Sequence, residues 1–169
     1  MSGSGSGPGA GSLERRLIYA RLDEEQLIAL GERIGHEVSP PLFLALRGDL
    51  GAGKSTFARA IARGAGVEGE IPSPTFNLLF RYPVPRGAQI VHIDLYRLDD
   101  PEEVWELGWA ELPAPDEIVM VEWPERAEVL LPPDRWEIEL VETESGEARD
   151  VEFRRVGNPG PLPLPEEAG

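Results

Sequence analysis

The chain has 169 residues, 41% of them hydrophobic, which suffices for one domain with a real core and not for two large ones. It has no cysteine, two histidines, and 31 acidic against 16 basic residues, for a net charge of −15. These figures exclude disulfides, thiolate metal sites and cysteine nucleophiles, and they argue against a surface that grips a nucleic acid backbone directly.

In chain order, "MSGSGSGPGAGS" (1–12) is low-complexity and reads as a flexible tail. The folded body is expected over 13–155, and the Pro/Gly-rich end, 156–169, reads as a disordered tail. "RLIYARL" (16–22) is a strand candidate. Asp23 followed by Gln26 forms a capping box that opens the helix "DEEQLIALGERIG". "PLFLALRG" (41–48) is a continuous apolar run, the pattern of a strand buried on both faces. In "STFARAIARGAGV", Phe57, Ala58, Ile61, Ala62 and Ala65 share one helical face, and Gly64 and Gly66 end the helix.

"TFNLLFRY" (75–82) and "QIVHIDLY" (89–96) read as strands, joined by the turn-rich "PVPRGA". "DPEEVWELG" reads as a short helix, with Pro101 at its start and Gly108 at its stop. "EIVMVEW" (117–123) is another buried strand and "PERAEVL" another short helix. "RWEIELVE" and "ARDVEFRR" alternate around "TESG" as a hairpin. The expected fold class is α/β: a single P-loop NTPase domain with a central, mostly parallel sheet, flanking helices and a C-terminal antiparallel hairpin. No apolar run approaches the roughly 20 residues of a membrane helix and no signal-peptide pattern opens the chain, so a soluble, cytoplasmic protein without membrane contact is expected.

One stretch carries chemistry plainly. Gly48-Asp49-Leu50-Gly51-Ala52-Gly53-Lys54-Ser55 matches G-x-x-x-x-G-K-[ST], placed between an apolar strand and a helix, with Thr56 next in line. The glycines let the backbone wrap with N–H groups aimed at phosphate oxygens, and the helix N-terminus adds its dipole. Lys54 is the only lysine in the chain; the other 15 basic residues are arginines. A slim ammonium fits between the β- and γ-phosphates of ATP where a planar guanidinium does not. The Ser55 hydroxyl suits Mg²⁺.

A phosphate loop needs acids near its metal, and two apolar strands end in one: "QIVHID" in Asp94 and "EIVMVE" in Glu122. Carboxyl ends of strands in an open α/β sheet lie along one edge, where both could reach the metal or the attacking water. Their residue types leave open which holds the metal and which handles the water. Ser73 and Thr75, in "IPSPTF", bring hydroxyls where a loop would sense the γ-phosphate. Trp123 at its strand end reads as packing, Arg97 as a surface ion pair and His92 as structural.

Taken in order, "GDLGAGKS", "SPTF", "HIDLYRL", "DPEE", "ELG" and "EWPE" resemble the bacterial TsaE (YjeE) family of small phosphate-loop ATPases, from about Asp23 to Pro132. The resemblance implies an ATPase in tRNA threonylcarbamoyladenosine biosynthesis, working with the TsaB–TsaD pair and meeting tRNA only through that complex. It implies that Lys54 and Ser55 bind phosphate and metal, that Glu122 is a magnesium-associated acid, and that Asp94 is the Walker B aspartate. Ser73, Thr75 and Trp123 fall on its other motif positions, and the segment around Asp23–Gln26 on the part near the adenine. Ser55 stands where threonine is expected, and either hydroxyl serves. Two other readings of the loop remain at this level: a small kinase for a metabolite or nucleotide, and a nucleotide-dependent switch. The first needs an arginine-rich lid, and the arginines here are scattered.

Overall fold

The computed structural model describes residues 17–71 and 78–165. Among them seven strands form one sheet: β1 (Leu17–Leu22), β2 (Leu42–Arg47), β3 (Leu79–Pro83), β4 (Gln89–Asp94), β5 (Glu117–Glu122), β6 (Arg135–Glu142) and β7 (Arg149–Val156). Two helices accompany them, α1 (Glu24–Glu37) and α2 (Lys54–Ala65). The order across the sheet is β1-β7-β6-β2-β5-β4-β3. The inner pairs β6–β2, β2–β5 and β5–β4 are parallel. The outer pairs β1–β7, β6–β7 and β3–β4 are antiparallel.

The two continuous apolar runs become the adjacent strands β2 and β5, and every residue of β5 is buried. Alternation along β2 sends Leu42, Leu44 and Leu46 to one face with Leu27, Ile34, Phe57 and Ile61 of the two helices. Phe43 and Ala45 go to the other face, with Val91, Ile93, Val119 and Val121. That second face is covered by short 3-10 segments, 101–107, 109–111 and 124–130, rather than by α-helices. Both segments read as short helices, "DPEEVWELG" and "PERAEVL", take this tighter form. Seven residues is too few to favour an α-helix, Gly108 turns left-handed at the first one's end, and Ala127 breaks the second.

The capping box forms as expected: Gln26 N donates to Asp23 Oδ1 at 2.8 Å and Asp23 N to Gln26 Oε1 at 2.9 Å, worth about 1 kcal/mol. α1 and α2 approach closely because glycines stand where their backbones meet. A Cβ at Gly35 would sit 1.9 Å from the Ile61 carbonyl oxygen, and one at Gly64 1.9 Å from that of Glu32.

The described part of the C-terminal segment departs from a disordered tail. Leu162 is buried in the core with Leu164 against it, Trp136 Nε1 donates to Gly160 O at 2.9 Å, and the Tyr19 hydroxyl donates to Pro165 O. Proline and glycine remove helix and strand from this stretch, yet its leucines still find apolar surface beside β1 and β6, so 157–165 lies as a strap.

Candidate functional site

Parallel pairing places Leu46 beside Glu122 and Glu122 beside Asp94, so the ends of β2, β5 and β4 share one edge. β2 runs out at Arg47 and the Gly-rich segment turns back into α2. Gly53, with φ 101°, starts the helix in a left-handed conformation that glycine adopts without cost. Gly48 passes so near β6 that a Cβ would lie 2.6 Å from Leu140 O. Leu50, at the loop tip, is 74% exposed, whereas Ala52 is buried.

Lys54 Nζ donates to Asp49 O at 3.0 Å and to Gly48 O, which holds the ammonium across the mouth of the loop. It also lies 3.8 Å from the centre of the Trp123 ring. Burial lowers its pKa, opposed by the charges of Glu122, Glu125, Asp94 and Asp49. Ser55 Oγ donates to Glu122 Oε1 at 2.7 Å. The other oxygen, Oε2, takes the Nε2–H of His92 at 2.6 Å, with both side chains at most 2% exposed. Burial pushes the Glu122 carboxyl up, but the His92 and Ser55 hydrogen bonds and the Lys54 charge outweigh it and hold it below the usual range. Asp94 is shifted the other way. Burial raises it, the Glu122 charge adds to this, and the Tyr96 N–H at 3.0 Å only partly offsets both.

Lys54, Ser55, Thr56, Asp94, Glu122 and Trp123 therefore line one cleft of about 320 Å³ with Gly51 and Gly53. Gly48, Asp49 and Ala52 border a wider cleft of about 710 Å³, on the other side of Trp123, against the β6–β7 turn. Ser73 and Thr75 lie outside the described residues. Trp123 is more than packing. Its backbone is left-handed (φ 58°, ψ 49°), a strain of about 1–3 kcal/mol for a non-glycine residue, and its ring meets Tyr96 at 5.0 Å.

His92 has a part that its reading as structural missed. A signal existed: two residues before Asp94 on a strand means the same face, and Glu122 occupies that face of the neighbouring strand. Arg149 of β7 had no local signal, yet it donates to the loop carbonyls of Gly51 and Ala52.

Fold and site define a mixed α/β domain with a seven-stranded sheet, parallel in its core, whose site is built around a strand, a Gly-rich loop and a helix. Comparison with known proteins narrows this. The family model described as "Threonylcarbamoyl adenosine biosynthesis protein TsaE" matches residues 22–151, and the chain belongs to that family. The chain is 31% identical over 144 residues to the tRNA threonylcarbamoyladenosine biosynthesis protein TsaE of Bacillus subtilis, covering 85% of this chain and 89% of that one. It is 36% identical over 115 residues to the Haemophilus influenzae protein of the same name, covering 65% and 72%. The crystal structure of Bacillus subtilis YdiB superposes with a TM-score of 0.71 at 27% identity, covering 86% of this chain and 88% of that one. Among the described residues no helix is long and apolar enough to cross a membrane.

Proposed function

We propose that this chain is a Mg²⁺-dependent ATPase subunit supporting tRNA threonylcarbamoyladenosine modification in the cytoplasm, acting with the TsaB–TsaD pair. The observation that carries this reading is the Ser55 Oγ–Glu122 Oε1 contact of 2.7 Å beside the Lys54 ammonium. A hydroxyl and a carboxylate already held together are hard oxygen donors of the kind Mg²⁺ takes, and their small number leaves positions for phosphate and water. Held by Ser55 and Glu122, Mg²⁺ would supply positive charge to neutralise what develops on the phosphates.

The chain's own residues do the rest. Lys54 and the loop N–H groups bind the β- and γ-phosphates and orient the terminal one. Ser55 and Glu122 hold the cation. Asp94, whose burial raises its proton affinity, orients the attacking water and accepts its proton as the bond to the γ-phosphorus forms and ADP leaves. Trp123 walls the cleft and limits water access. The net charge of −15 suits a subunit that docks on protein partners and meets tRNA only through them.

The test is ATP hydrolysis by the purified protein, alone and with the TsaB–TsaD pair, beside Lys54→Ala. Turnover should depend on the pair. The substitution should weaken ATP binding by at least about tenfold, since charge-assisted hydrogen bonds are worth about 1.5–3 kcal/mol. Turnover indifferent to the pair, or unchanged in Lys54→Ala, would overturn the reading.

A further inference from the structure

We propose that Arg149 is a positioning residue for the nucleotide, tying the turn of the C-terminal hairpin to the phosphate loop and fixing where the loop's outward carbonyls point. The inference rests on the reading that this loop binds nucleotide phosphates. A loop that aims N–H groups inward must aim carbonyls outward, and those carbonyls need donors of their own. For Gly51 and Ala52 the donors come from 97 or more residues away, on one guanidinium: Arg149 Nε donates to Ala52 O at 2.8 Å and Nη2 to Gly51 O at 3.1 Å.

The same group holds the hairpin turn. Nη1 donates to Ala148 O at 3.0 Å and to Gly146 O at 3.2 Å. One planar fork therefore serves four carbonyls on two segments, which uses the geometry that separates arginine from lysine. It also packs under the residue that starts α2, since a Cβ at Gly53 would lie 3.9 Å from Nε. Arg149, Gly51, Gly53, Thr56, Glu24 and Glu147 border a cavity of about 220 Å³ on the β7 side of the loop, one that Asp94 and Glu122 do not line. Loop curvature and turn position are thus one mechanical unit, and nucleotide that orders the loop also orders the turn at 143–148.

The experiment measures ADP and ATP affinity with Mg²⁺ for the wild type, Lys54→Ala, Arg149→Met and Arg149→Lys, together with nucleotide-free melting and amide hydrogen exchange in the turn. Arg149→Met should weaken both nucleotides by about tenfold, the scale of lost charge-assisted hydrogen bonds, while the folded fraction at the assay temperature is unchanged. Arg149→Lys should restore less than half of that loss on a logarithmic scale. ADP should slow exchange over 143–148 in the wild type and not in Arg149→Lys, a coupling that a merely structural role would not produce. Should Arg149→Met fail to fold, Arg149→Lys carries the test, because it keeps the charge and the apolar stem. Wild-type affinity in Arg149→Met, or full rescue by lysine, would overturn the assignment while leaving the nucleotide reading intact. No nucleotide binding by the wild type would overturn both.

Discussion

Of the three glutamates buried among the described residues, Glu122 and Glu137 are both held below the usual carboxylate range, but their surroundings differ in kind. Glu137 on β6 accepts Arg47 Nη2 at 3.1 Å, Arg47 Nε, and Arg135 Nε at 2.6 Å. Burial raises its pKa, and the two guanidiniums overcome that. Arg47 in turn reaches Glu128 at 2.8 and 2.9 Å and lies 3.8 Å from Glu125; its hydrogen bonds to Glu137 first and Glu128 second hold its proton above its ordinary range against burial. Every charge in that network is permanent and answered. Glu122 has only an imidazole, a hydroxyl and a nearby ammonium shared with the loop. Its partners can turn to other acceptors or donors, and its charge is not permanently cancelled. A saturated carboxylate belongs to the architecture. One held ionised by exchangeable partners at a loop mouth is the one to which the proposed function gives the cation.

Isosteric substitution should separate the two. Glu137→Gln takes from Arg135 its carboxylate partner and leaves Arg47 only the more exposed Glu128 and Glu125, and it should cost about 3 kcal/mol, or about 10 °C in melting temperature, with nucleotide affinity unchanged in the folded protein. Equal melting temperatures would break the comparison at its architectural end. Glu122→Gln should do the reverse. Stability should change by about 1 kcal/mol or less because the amide oxygen still accepts from Ser55. The Mg²⁺ concentration that half-saturates nucleotide binding should rise about tenfold, for loss of one ionised ligand. A magnesium titration that overlays the wild type would remove Glu122 from the metal site.

The smallest effect is the pH dependence. Both carboxyls have folded pKa values below their ordinary 4.5, so their contribution is present above pH 4.5 and is lost as pH falls through the depressed values. Stability should therefore fall on acidification below about pH 4.5, and Glu137→Gln should flatten that slope. Asp94 has the opposite sign: its raised pKa adds stability only while it is protonated, and that contribution disappears as pH rises through the folded value. Denaturant melts from pH 3 to pH 7, on the order of one per half unit, would resolve the slopes.

What could be read from sequence was local. The capping box of α1, the buried strands β2 and β5, the hairpin of β6 and β7, and the loop between β2 and α2 each rest on residues within a few positions of one another. Even the shared edge of Asp94 and Glu122 follows from strand ends and a parallel rule. The partnership of β1 with β7 left no trace, because pairing across most of the chain depends on complementary edges rather than on any pattern in either strand. Leu162 sits among prolines and glycines whose composition announces disorder, and only the apolar surface it meets says otherwise. Arg149 was invisible for a similar reason: its acceptors are backbone carbonyls, which every residue carries.

The pairing of β1 with β7 also bears on how the protein comes to exist. As the chain emerges from a ribosome, Leu17–Leu22 precedes the other strands of the sheet, and it has no strand partner until Arg149–Val156 has followed. The parallel pair β2–β5 waits almost as long for β6. For most of its synthesis the nascent polypeptide carries an apolar β2 without its second flank and an edge strand without a mate, a state open to capture by chaperones or by another unfinished copy. The arrival of Arg149–Val156 completes the sheet and ends that exposure.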